Sequence, residues 1–312
     1  MSFAGKVATA MARRILNMNP ASGKDPATTM HWTDRFDKFR TNRGYVIERL
    51  VTPTGTKYER AYRKDSRFSG KAVLYLHGGG YMAGLTESYR KMAKPFGEAA
   101  GGAEFFLLDY VCAPERLYPS QLNEALDMWD ELTERLGYDA DNIIVGGDSA
   151  GGNLTLALLL SLRDKGKRMP RAAFCWSPWA DMTASGESYV TNYPKDPLFG
   201  EKGKAFDENK RADMLKCSLF TYVGDADRKS PYVSPVYGDY AGFPPMFFAV
   251  GGDEMLLDDT LTIVKNLQQN GVDVELDIGP AMFHIYPMFA AFIPEGKVAF
   301  DKTIAFVKKH AK

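Results

Sequence analysis

A single serine lies in a stretch of small residues whose pattern favours nucleophilic chemistry. The stretch is Gly147-Asp148-Ser149-Ala150-Gly151-Gly152; it follows the apolar run Ile143-Ile144-Val145 and precedes a second apolar run that begins at Leu154. This pattern predicts a strand, a sharp turn and a helix around Ser149. Such a turn admits only small flanking residues and holds the serine oxygen at the end of a parallel strand. Ser149 is therefore the candidate nucleophile.

A glycine-rich loop precedes this serine in the chain. The strand-like run Leu74-Tyr75-Leu76 leads directly into His77-Gly78-Gly79-Gly80. A carbonyl group that is attacked by a nucleophile becomes an oxyanion, which needs hydrogen-bond donors already in place. We expect the backbone amides of Gly79, Gly80 and Ala150 to supply them, because a Cβ in the loop would block its approach to the substrate.

A serine at its free pKa is a weak nucleophile and needs a base. The chain has only four histidines. His31 lies in the N-terminal segment, His310 lies in the basic C-terminal tail, and His77 opens the glycine loop, where we expect it to brace that loop. His284 remains, just after the last predicted strand, and this elimination predicts it as the base.

The base in turn needs a carboxylate that orients it. Asp253 follows the strand-like run Met246–Val250 through two glycines, at the carboxyl end of a strand, where ligand chemistry gathers in open α/β sheets. With Asp253 as the acid, the chain order becomes nucleophile, acid, base, which is the order that accompanies a serine turn of this kind. The competing carboxylates are Asp225, Asp227, Glu254 and Asp258. We expect the first two to shape a turn and the last to cap a helix.

Two residues beside these motifs have less certain roles. Asp148 precedes the candidate nucleophile, and in so sharp a turn its side chain points elsewhere, so we expect it to brace the turn. Tyr81 directly follows the glycines. We interpret it as a substrate-binding wall of the pocket, and a plain core aromatic is an almost equal alternative.

The chain alternates between strand-like runs and segments with helical periodicity. The first two runs form a predicted hairpin around Pro53-Thr54-Gly55, and the last six are short and apolar, which is typical of a parallel sheet covered on both faces. The predicted strands are Tyr45–Val51, Lys57–Arg63, Ala72–Leu76, Ala103–Leu108, Asn142–Val145, Ala172–Trp176, Met246–Val250 and Val272–Ile278. The predicted helices are Ser120–Leu136, Leu256–Gln269 and Val298–Lys309.

Two segments do not fit this alternation. Residues 1–43 are polar and helix-prone, and residues 182–220 mix charged side chains with Met, Tyr and Phe. We interpret both as one cap over the serine, on a core formed by residues 44–181 and 221–312. The sequence leaves open whether four residues of the insert line an acyl site or form the cap's own small core. These four are Tyr189, Tyr193, Phe199 and Met214.

Composition narrows the class of partner. The 39 basic and 39 acidic residues balance, so no charge pattern indicates nucleic acid or an anionic membrane. The longest apolar run, Leu154–Leu162, is too short to span a bilayer, and the N-terminal segment lacks an apolar signal core. Three widely spaced cysteines favour a reducing compartment, so we expect a cytoplasmic protein. No two histidines have metal-ligand spacing, and we expect no metal or organic cofactor.

At these motifs the chain resembles the hormone-sensitive-lipase family of α/β-hydrolases, whose signatures are His-Gly-Gly-Gly and Gly-Asp-Ser-Ala-Gly. The resemblance extends from about Ala72 to His284 and includes Ser177-Pro178-Trp179. It implies an α/β-hydrolase fold: a mostly parallel eight-stranded sheet flanked by helices, with a helical cap. It also implies the nucleophile, acid, base and oxyanion hole named above, and a serine carboxylesterase that acts on short- to medium-chain acyl esters through an acyl-enzyme. Similar proteins commonly dimerise through the last strand and helix, so a homodimer is left open.

The chain departs from the family pattern at three places. Val111-Cys112 stands where Arg-Leu is usual, Glu254-Met255 stands where Asp-Pro is common, and Ile285 stands where glycine usually follows the histidine. We expect none of these to touch a catalytic atom. The bulk of Ile285 is expected to narrow the pocket and contact the substrate.

Other functions fit parts of the same pattern. An amidase or deacetylase would use the same triad, and a non-catalytic small-molecule receptor would use the same scaffold, as in the plant gibberellin receptors, which have lost the base. The residues Gly78-x-Gly80-x-x-Ala83, with Asp109 after the next strand, fit a loose dinucleotide-binding fingerprint. That last alternative leaves Ser149 and His284 unexplained.

Overall fold

An eight-stranded sheet forms the centre of the molecule. The computed structural model describes residues 1–20, 40–65 and 68–311. The strands are β1 (Tyr45–Val51), β2 (Lys57–Arg63), β3 (Ala72–Leu76), β4 (Glu104–Leu108), β5 (Ile143–Asp148), β6 (Ala172–Trp176), β7 (Met246–Gly251) and β8 (Val274–Gly279). Their order in the sheet is β1-β2-β4-β3-β5-β6-β7-β8. All eight predicted strands are confirmed, with small shifts at their ends.

The pairing of the strands brings the candidate residues to one edge of the sheet. The hairpin β1–β2 is antiparallel and β2 pairs antiparallel with β4, whereas the six strands β3 to β8 are parallel. Parallel strands share one carboxyl edge. The glycine loop leaves this edge after β3, Ser149 follows β5, the loop with the candidate acids follows β7, and His284 follows β8.

Helices cover both faces of the sheet. The helices are α1 (Phe3–Ile15), α2 (Glu87–Lys91), α3 (Ala93–Ala99), α4 (Ser120–Asp130), α5 (Ala150–Asp164), α6 (Ser188–Thr191), α7 (Glu208–Met214), α8 (Leu257–Gln269) and α9 (Pro294–His310). Along β3, Leu74 and Leu76 pack in the cluster that contains residues of helices α4, α5 and α8, whereas Val73 and Tyr75 pack in the cluster with α1, α3 and α9. This two-residue alternation is expected of a strand buried on both sides.

The predicted helices are present with changed ends. The helix predicted from Ser120 to Leu136 stays α-helical to Asp130 and continues as a π-helical turn over Glu131–Arg135. In this wider turn, the buried Glu131 accepts a hydrogen bond from the Tyr58 hydroxyl at 3.1 Å. The last helix begins four residues earlier than predicted, at Pro294, because proline fits the first turn of a helix.

The two segments interpreted as a cap are partly helical. In the N-terminal segment, Ser2 caps α1 by accepting a hydrogen bond from the Gly5 amide at 2.9 Å. Residues 21–39 of the predicted cap, with His31, lie outside the described residues. The insert of residues 182–220 contains α6, α7 and the start of a 3₁₀ turn over Ser218–Val223. None of the helices in the described ranges has the length and apolar character that a bilayer crossing requires.

Candidate active site

The turn at Ser149 has the geometry that its sequence predicts. Ser149 has φ 54° and ψ −119° between β5 and α5, a conformation that is costly for a residue with a side chain and is typical of functional sites. The Ser149 amide donates to the Trp176 carbonyl at 2.8 Å, which ties the turn to the end of β6. At Gly151, a Cβ would overlap the carbonyl of Leu76. Glycine is therefore required where α5 crosses the end of β3.

His284 lies against the serine. Its Nε2 atom is 2.8 Å from Ser149 Oγ and can accept the hydroxyl proton. Ser149 is 8% exposed and His284 is 3% exposed, so little water competes for this hydrogen bond. The structure thus brings together the predicted nucleophile and base.

The partner of the imidazole is Glu254, so the prediction of Asp253 is wrong. His284 Nδ1 donates to Glu254 Oε2 at 2.7 Å. The other carboxylate oxygen accepts a hydrogen bond from Ser177 Oγ at 2.8 Å and another from the Gly251 amide. Glu254 is completely buried. Asp253 is only half-buried, and its amide donates to the Met282 carbonyl at 3.1 Å.

The direction of the backbone after β7 explains this correction. The strand ends at Gly251, and the two adjacent carboxylates point in different directions, so only one of them faces the imidazole. The family resemblance indicates the same residue, because Glu254-Met255 stands where the family commonly has Asp-Pro, so position 254 carries a carboxylate in both. Glu254 is one of the four competing carboxylates of the sequence.

Asp148 was expected to brace the serine turn, but its side chain instead braces the glycine loop. One carboxylate oxygen accepts from the Tyr75 hydroxyl and from the Gly78 amide, each at 3.0 Å. The other oxygen accepts from the Tyr89 hydroxyl at 3.2 Å. Burial raises the pKa of Asp148 to about 6, although these three hydrogen bonds favour its charged form. The strand that carries the nucleophile and the loop that precedes the oxyanion donors are thus joined through one side chain.

His77 also braces this loop and carries no charge at neutral pH. Its Nδ1 atom is 2.7 Å from the Gly78 carbonyl oxygen, and its ring stacks on Tyr110 with centroids 4.1 Å apart. Burial lowers the pKa of His77 to about 4. A neutral imidazole therefore donates its Nδ1 proton to the loop carbonyl.

Three backbone amides at the site have the chemistry of an oxyanion hole. Gly79 and Gly80 line the cavity described below, and Gly79 has φ 109°, which glycine adopts without strain. Among the described residues, neither of these two amides donates to a protein acceptor. Ala150 is the first residue of α5, where helix geometry leaves the amides unpaired and the helix dipole favours negative charge.

An apolar cavity of about 470 Å³ opens onto Ser149 and His284. Both segments interpreted as the cap contribute to its wall. The contributing residues include Leu16, Met18 and Pro20 of the N-terminal segment, and Tyr189, Leu198, Phe199, Met214, Leu219 and Phe220 of the insert. Of the four insert residues left open, Tyr193 alone is absent from the lining, and its hydroxyl accepts a hydrogen bond from the buried Asn19 at 3.0 Å.

The two residues predicted to bind substrate have different positions. Ile285 lines the cavity beside His284. Tyr81 does not line it, so the prediction of a pocket wall is wrong and the core alternative holds. The Tyr81 ring is completely buried and stacks on Tyr222 with centroids 3.6 Å apart, and its hydroxyl donates to Asn153 at 2.7 Å. At φ 60° the backbone directs this side chain into the core.

Comparisons with known proteins agree with this geometry. A family model described as the alpha/beta hydrolase fold matches residues 73–288. An acetyl-hydrolase of Streptomyces hygroscopicus is 33% identical over 245 residues, which are 78% of this chain and 78% of that protein. A solved esterase from the bacterial hormone-sensitive lipase family is 32% identical, with a TM-score of 0.82 over 100% of this chain and 99% of its own. The structure of EstE5 soaked with p-nitrophenyl butyrate is 29% identical, with a TM-score of 0.84 and the same coverages.

The match of the family model covers more than half of the chain and includes the glycine loop, Ser149, Glu254 and His284. The order of the sheet and the position of the serine turn fit the same assignment. The chain therefore belongs to the α/β-hydrolase fold family, among the esterases of the hormone-sensitive-lipase type, and is a carboxylic ester hydrolase.

Proposed function

We propose that the chain hydrolyses short- to medium-chain acyl esters through a covalent acyl-enzyme on Ser149, with His284 as base and Glu254 as the acid that orients it. One observation carries the proposal. His284 contacts Ser149 Oγ through Nε2 at 2.8 Å and Glu254 Oε2 through Nδ1 at 2.7 Å, and Ser149 and His284 line an apolar cavity. A buried serine without such a base would be a poor nucleophile.

Acylation follows from this geometry. As Ser149 Oγ attacks the ester carbonyl carbon, His284 Nε2 takes its proton, and the Glu254 carboxylate stabilises the imidazolium that forms. The carbonyl oxygen becomes an oxyanion that accepts hydrogen bonds from the amides of Gly79, Gly80 and Ala150. One such donor is worth about 10²- to 10³-fold in kcat. The imidazolium then protonates the leaving alcohol oxygen, and the acyl group remains on the serine.

Deacylation repeats these steps with water as the nucleophile. His284 Nε2 takes a proton from water as the water oxygen attacks the acyl carbon. The second tetrahedral intermediate uses the same amides. Its collapse returns the proton to Ser149 Oγ, releases the carboxylic acid and restores the free enzyme.

The size of the cavity supports the proposed acyl range. Each methylene that fits the apolar wall contributes up to about 0.8 kcal/mol, and chains longer than the cavity return to water. We propose an optimum between about two and eight carbons on this ground. The name of the acetyl-hydrolase relative and the butyrate ester soaked into EstE5 fall within this range. The N-terminal segment and the insert act as the cap that encloses the acyl group.

Labelling of the serine tests the proposal. An organophosphate should label wild-type protein with one equivalent, at Ser149, and abolish hydrolysis of p-nitrophenyl butyrate. Ser149→Ala should be neither labelled nor active, whereas Ser120→Ala, on helix α4, should behave as wild type. Labelling that persists in Ser149→Ala would refute the proposed nucleophile.

We further propose a cytoplasmic location, because three widely spaced cysteines, an odd number, favour a reducing compartment. We also propose a homodimer through the edge strand β8, where Leu276 and Ile278 are 36% and 43% exposed. Sedimentation should give a dimer for wild type and a monomer for Ile278→Lys. A wild-type monomer would contradict the assembly and leave the chemistry untouched.

A further inference from the structure

The insert holds the backbone of the loop that carries Glu254. We call residues 251–256 the acid loop. Asn192 Nδ2 donates to the carbonyl oxygens of Gly252 and Glu254, at 3.1 and 2.9 Å, and Asp196 Oδ2 accepts from the Met255 amide at 2.8 Å. We call Asn192 and Asp196 the clamp. They are 3% and 0% exposed, so these bonds form out of contact with water.

The second carboxylate oxygen of Asp196 binds the backbone of a segment that contacts His284. Asp196 Oδ1 accepts from the amides of Leu198 and Phe199, at 2.8 and 3.0 Å. The Phe199 ring meets the His284 ring edge-on, with centroids 4.9 Å apart. One carboxylate therefore fixes the backbone next to the acid and the backbone that presents an aromatic ring to the base.

Because Asp196 is completely buried, its hydrogen bonds are needed to stabilise the charged carboxylate. Burial and the nearby Glu254 carboxylate both raise the pKa of Asp196, so its charged form is disfavoured by its surroundings. A buried charge is tolerated only when it is well hydrogen-bonded. Here the compensation consists of three backbone amides, two at the cavity wall and one in the acid loop.

Ser188 adds further contacts between the insert and the acid loop. Ser188 Oγ donates to the Met255 carbonyl at 2.6 Å, and the Ser188 amide donates to the Asp258 carboxylate at 2.7 Å. The insert between Ser188 and Phe199 thus contacts the acid loop and the first turn of α8 through both backbone and side-chain groups. Each contact joins residues at least 59 positions apart in the chain.

We propose that Asn192 and Asp196 are positioning residues for the esterase reaction, because they hold the acid loop so that Glu254 stays on His284. The inference rests on the proposed function of the triad. It also means that the insert from residue 188 to residue 199 stays docked during turnover, since lifting it would release the acid loop.

Two variants test the clamp from separate sides. Asp196→Asn preserves shape but turns an N–H group toward a backbone amide, and Asn192→Leu removes both donors to the acid loop. A small misplacement of a catalytic group costs up to about 10²-fold, so each variant should lower kcat by about 10- to 100-fold and change KM by less than about threefold. In Asp196→Asn the amide oxygen keeps the two donors at the cavity wall, so its NH₂ group faces the Met255 amide. The cavity is therefore retained, and the loss should be the same for acetyl and butyryl esters.

Asp181→Asn is the matched control. Asp181 is also a buried carboxylate, 3% exposed, at the boundary of the insert, but its oxygens accept from the amides of Thr183 and Ser185 and not from the acid loop. Thermal unfolding verifies that all three variants are folded. Proton NMR then follows the downfield resonance of the His284 Nδ1–H group, identified by its absence in His284→Ala. This resonance should persist in wild type and Asp181→Asn and disappear in the two clamp variants.

The outcomes separate this inference from the proposed function. If Ser149→Ala and Glu254→Gln are inactive while both clamp variants match Asp181→Asn in kcat and retain the resonance, only the clamp is refuted. If Ser149→Ala stays active, the proposed function itself fails. Should Asp196→Asn not fold, Asn192→Leu decides alone: kcat at the level of the control overturns the inference, and a loss of both kcat and the resonance supports it.

Discussion

Shortening Glu254 by one methylene tests how the acid holds the base. The carboxylate receives the His284 Nδ1 proton over 2.7 Å; Glu254→Asp withdraws it by about 1.5 Å, which opens the contact to about 4 Å, beyond hydrogen-bond range. The imidazole then loses its fixed orientation, and the imidazolium loses its counter-charge. We expect kcat to fall about 10²-fold, with KM little changed because the cavity is intact.

Glu254→Gln tests charge and tautomer at constant length. One carboxylate oxygen already accepts from Ser177 Oγ and the Gly251 amide, so the amide oxygen of glutamine must take that side. Its NH₂ group then faces His284 Nδ1 and favours the tautomer with the proton on Nε2, where Ser149 needs an acceptor. Loss of the correct tautomer costs about 10⁴-fold in kcat, so Glu254→Gln should be more damaging than Glu254→Asp.

The adjacent carboxylate provides the control. Asp253→Asn makes the same change of charge one position earlier, and its kcat and KM for p-nitrophenyl acetate should stay close to those of wild type. Thermal unfolding of each variant separates a folding defect from a catalytic one. If Asp253→Asn lost more activity than Glu254→Gln, the assignment of the acid from the 2.7 Å contact would be refuted.

Four further outcomes are expected. Asp148→Asn should lower the free energy of unfolding in urea by about 1–3 kcal/mol, because an amide cannot accept from Tyr75, Tyr89 and Gly78 together; unchanged stability would contradict this role. Because burial lowers the pKa of His77 to about 4, the unfolded state binds the proton first, so this histidine should reduce stability by up to about 3 kcal/mol as pH decreases from about 6.5 to about 4. Asp148, with its pKa raised to about 6, acts in the opposite direction and offsets this loss in wild type. The test is therefore the difference between the two proteins: the urea midpoint of His77→Gln should rise relative to that of wild type as pH decreases over this range, and a constant difference would contradict the neutral state of His77. Across p-nitrophenyl esters of increasing acyl length, kcat/KM should rise up to about fourfold per methylene while the acyl chain fits the cavity, and it should fall for acyl chains longer than about eight carbons. A maximum at about twelve carbons or more would indicate a lipase. Activity should survive prolonged chelation, because the proposed triad is a complete proton relay, and a loss restored by zinc would argue for another mechanism.

Much of the fold was predictable because its signals are local. The run Ala72–Leu76 is apolar at every position, which is typical of a strand buried on both faces. The small residues around Ser149 fit only a sharp turn between strand and helix. His284 was found by elimination among four histidines. None of these inferences required knowledge of which distant residues meet.

The predictions that failed depend on the direction of single side chains. Asp253 and Glu254 are adjacent carboxylates, and only the path of the backbone after Gly251 decides which one faces the imidazole. Tyr81 was expected at the pocket because it follows the glycines, but its positive φ turns the ring toward Tyr222. No short-range pattern distinguishes these alternatives.

The clamp was missed for a different reason. Asp196 and Met255 are 59 positions apart, and Asn192 and Glu254 are 62 apart. Hydrogen bonds between a side chain and a distant backbone group leave no periodic signal in the sequence. The only local feature of the insert was its mixture of charged, aromatic and methionine side chains, which indicated a cap and gave no sign of attachment to the acid loop.

The rate and position of organophosphate labelling test the central claim most directly, because labelling needs the nucleophile, the base and the acid at once. We expect wild-type protein to take up one equivalent, located at Ser149 by peptide mass mapping. His284→Ala and Glu254→Gln should be labelled at the same residue far more slowly, while Asp253→Asn should match wild type. Labelling at another residue, or equal rates in wild type, His284→Ala and Glu254→Gln, would contradict the triad formed by Ser149, His284 and Glu254.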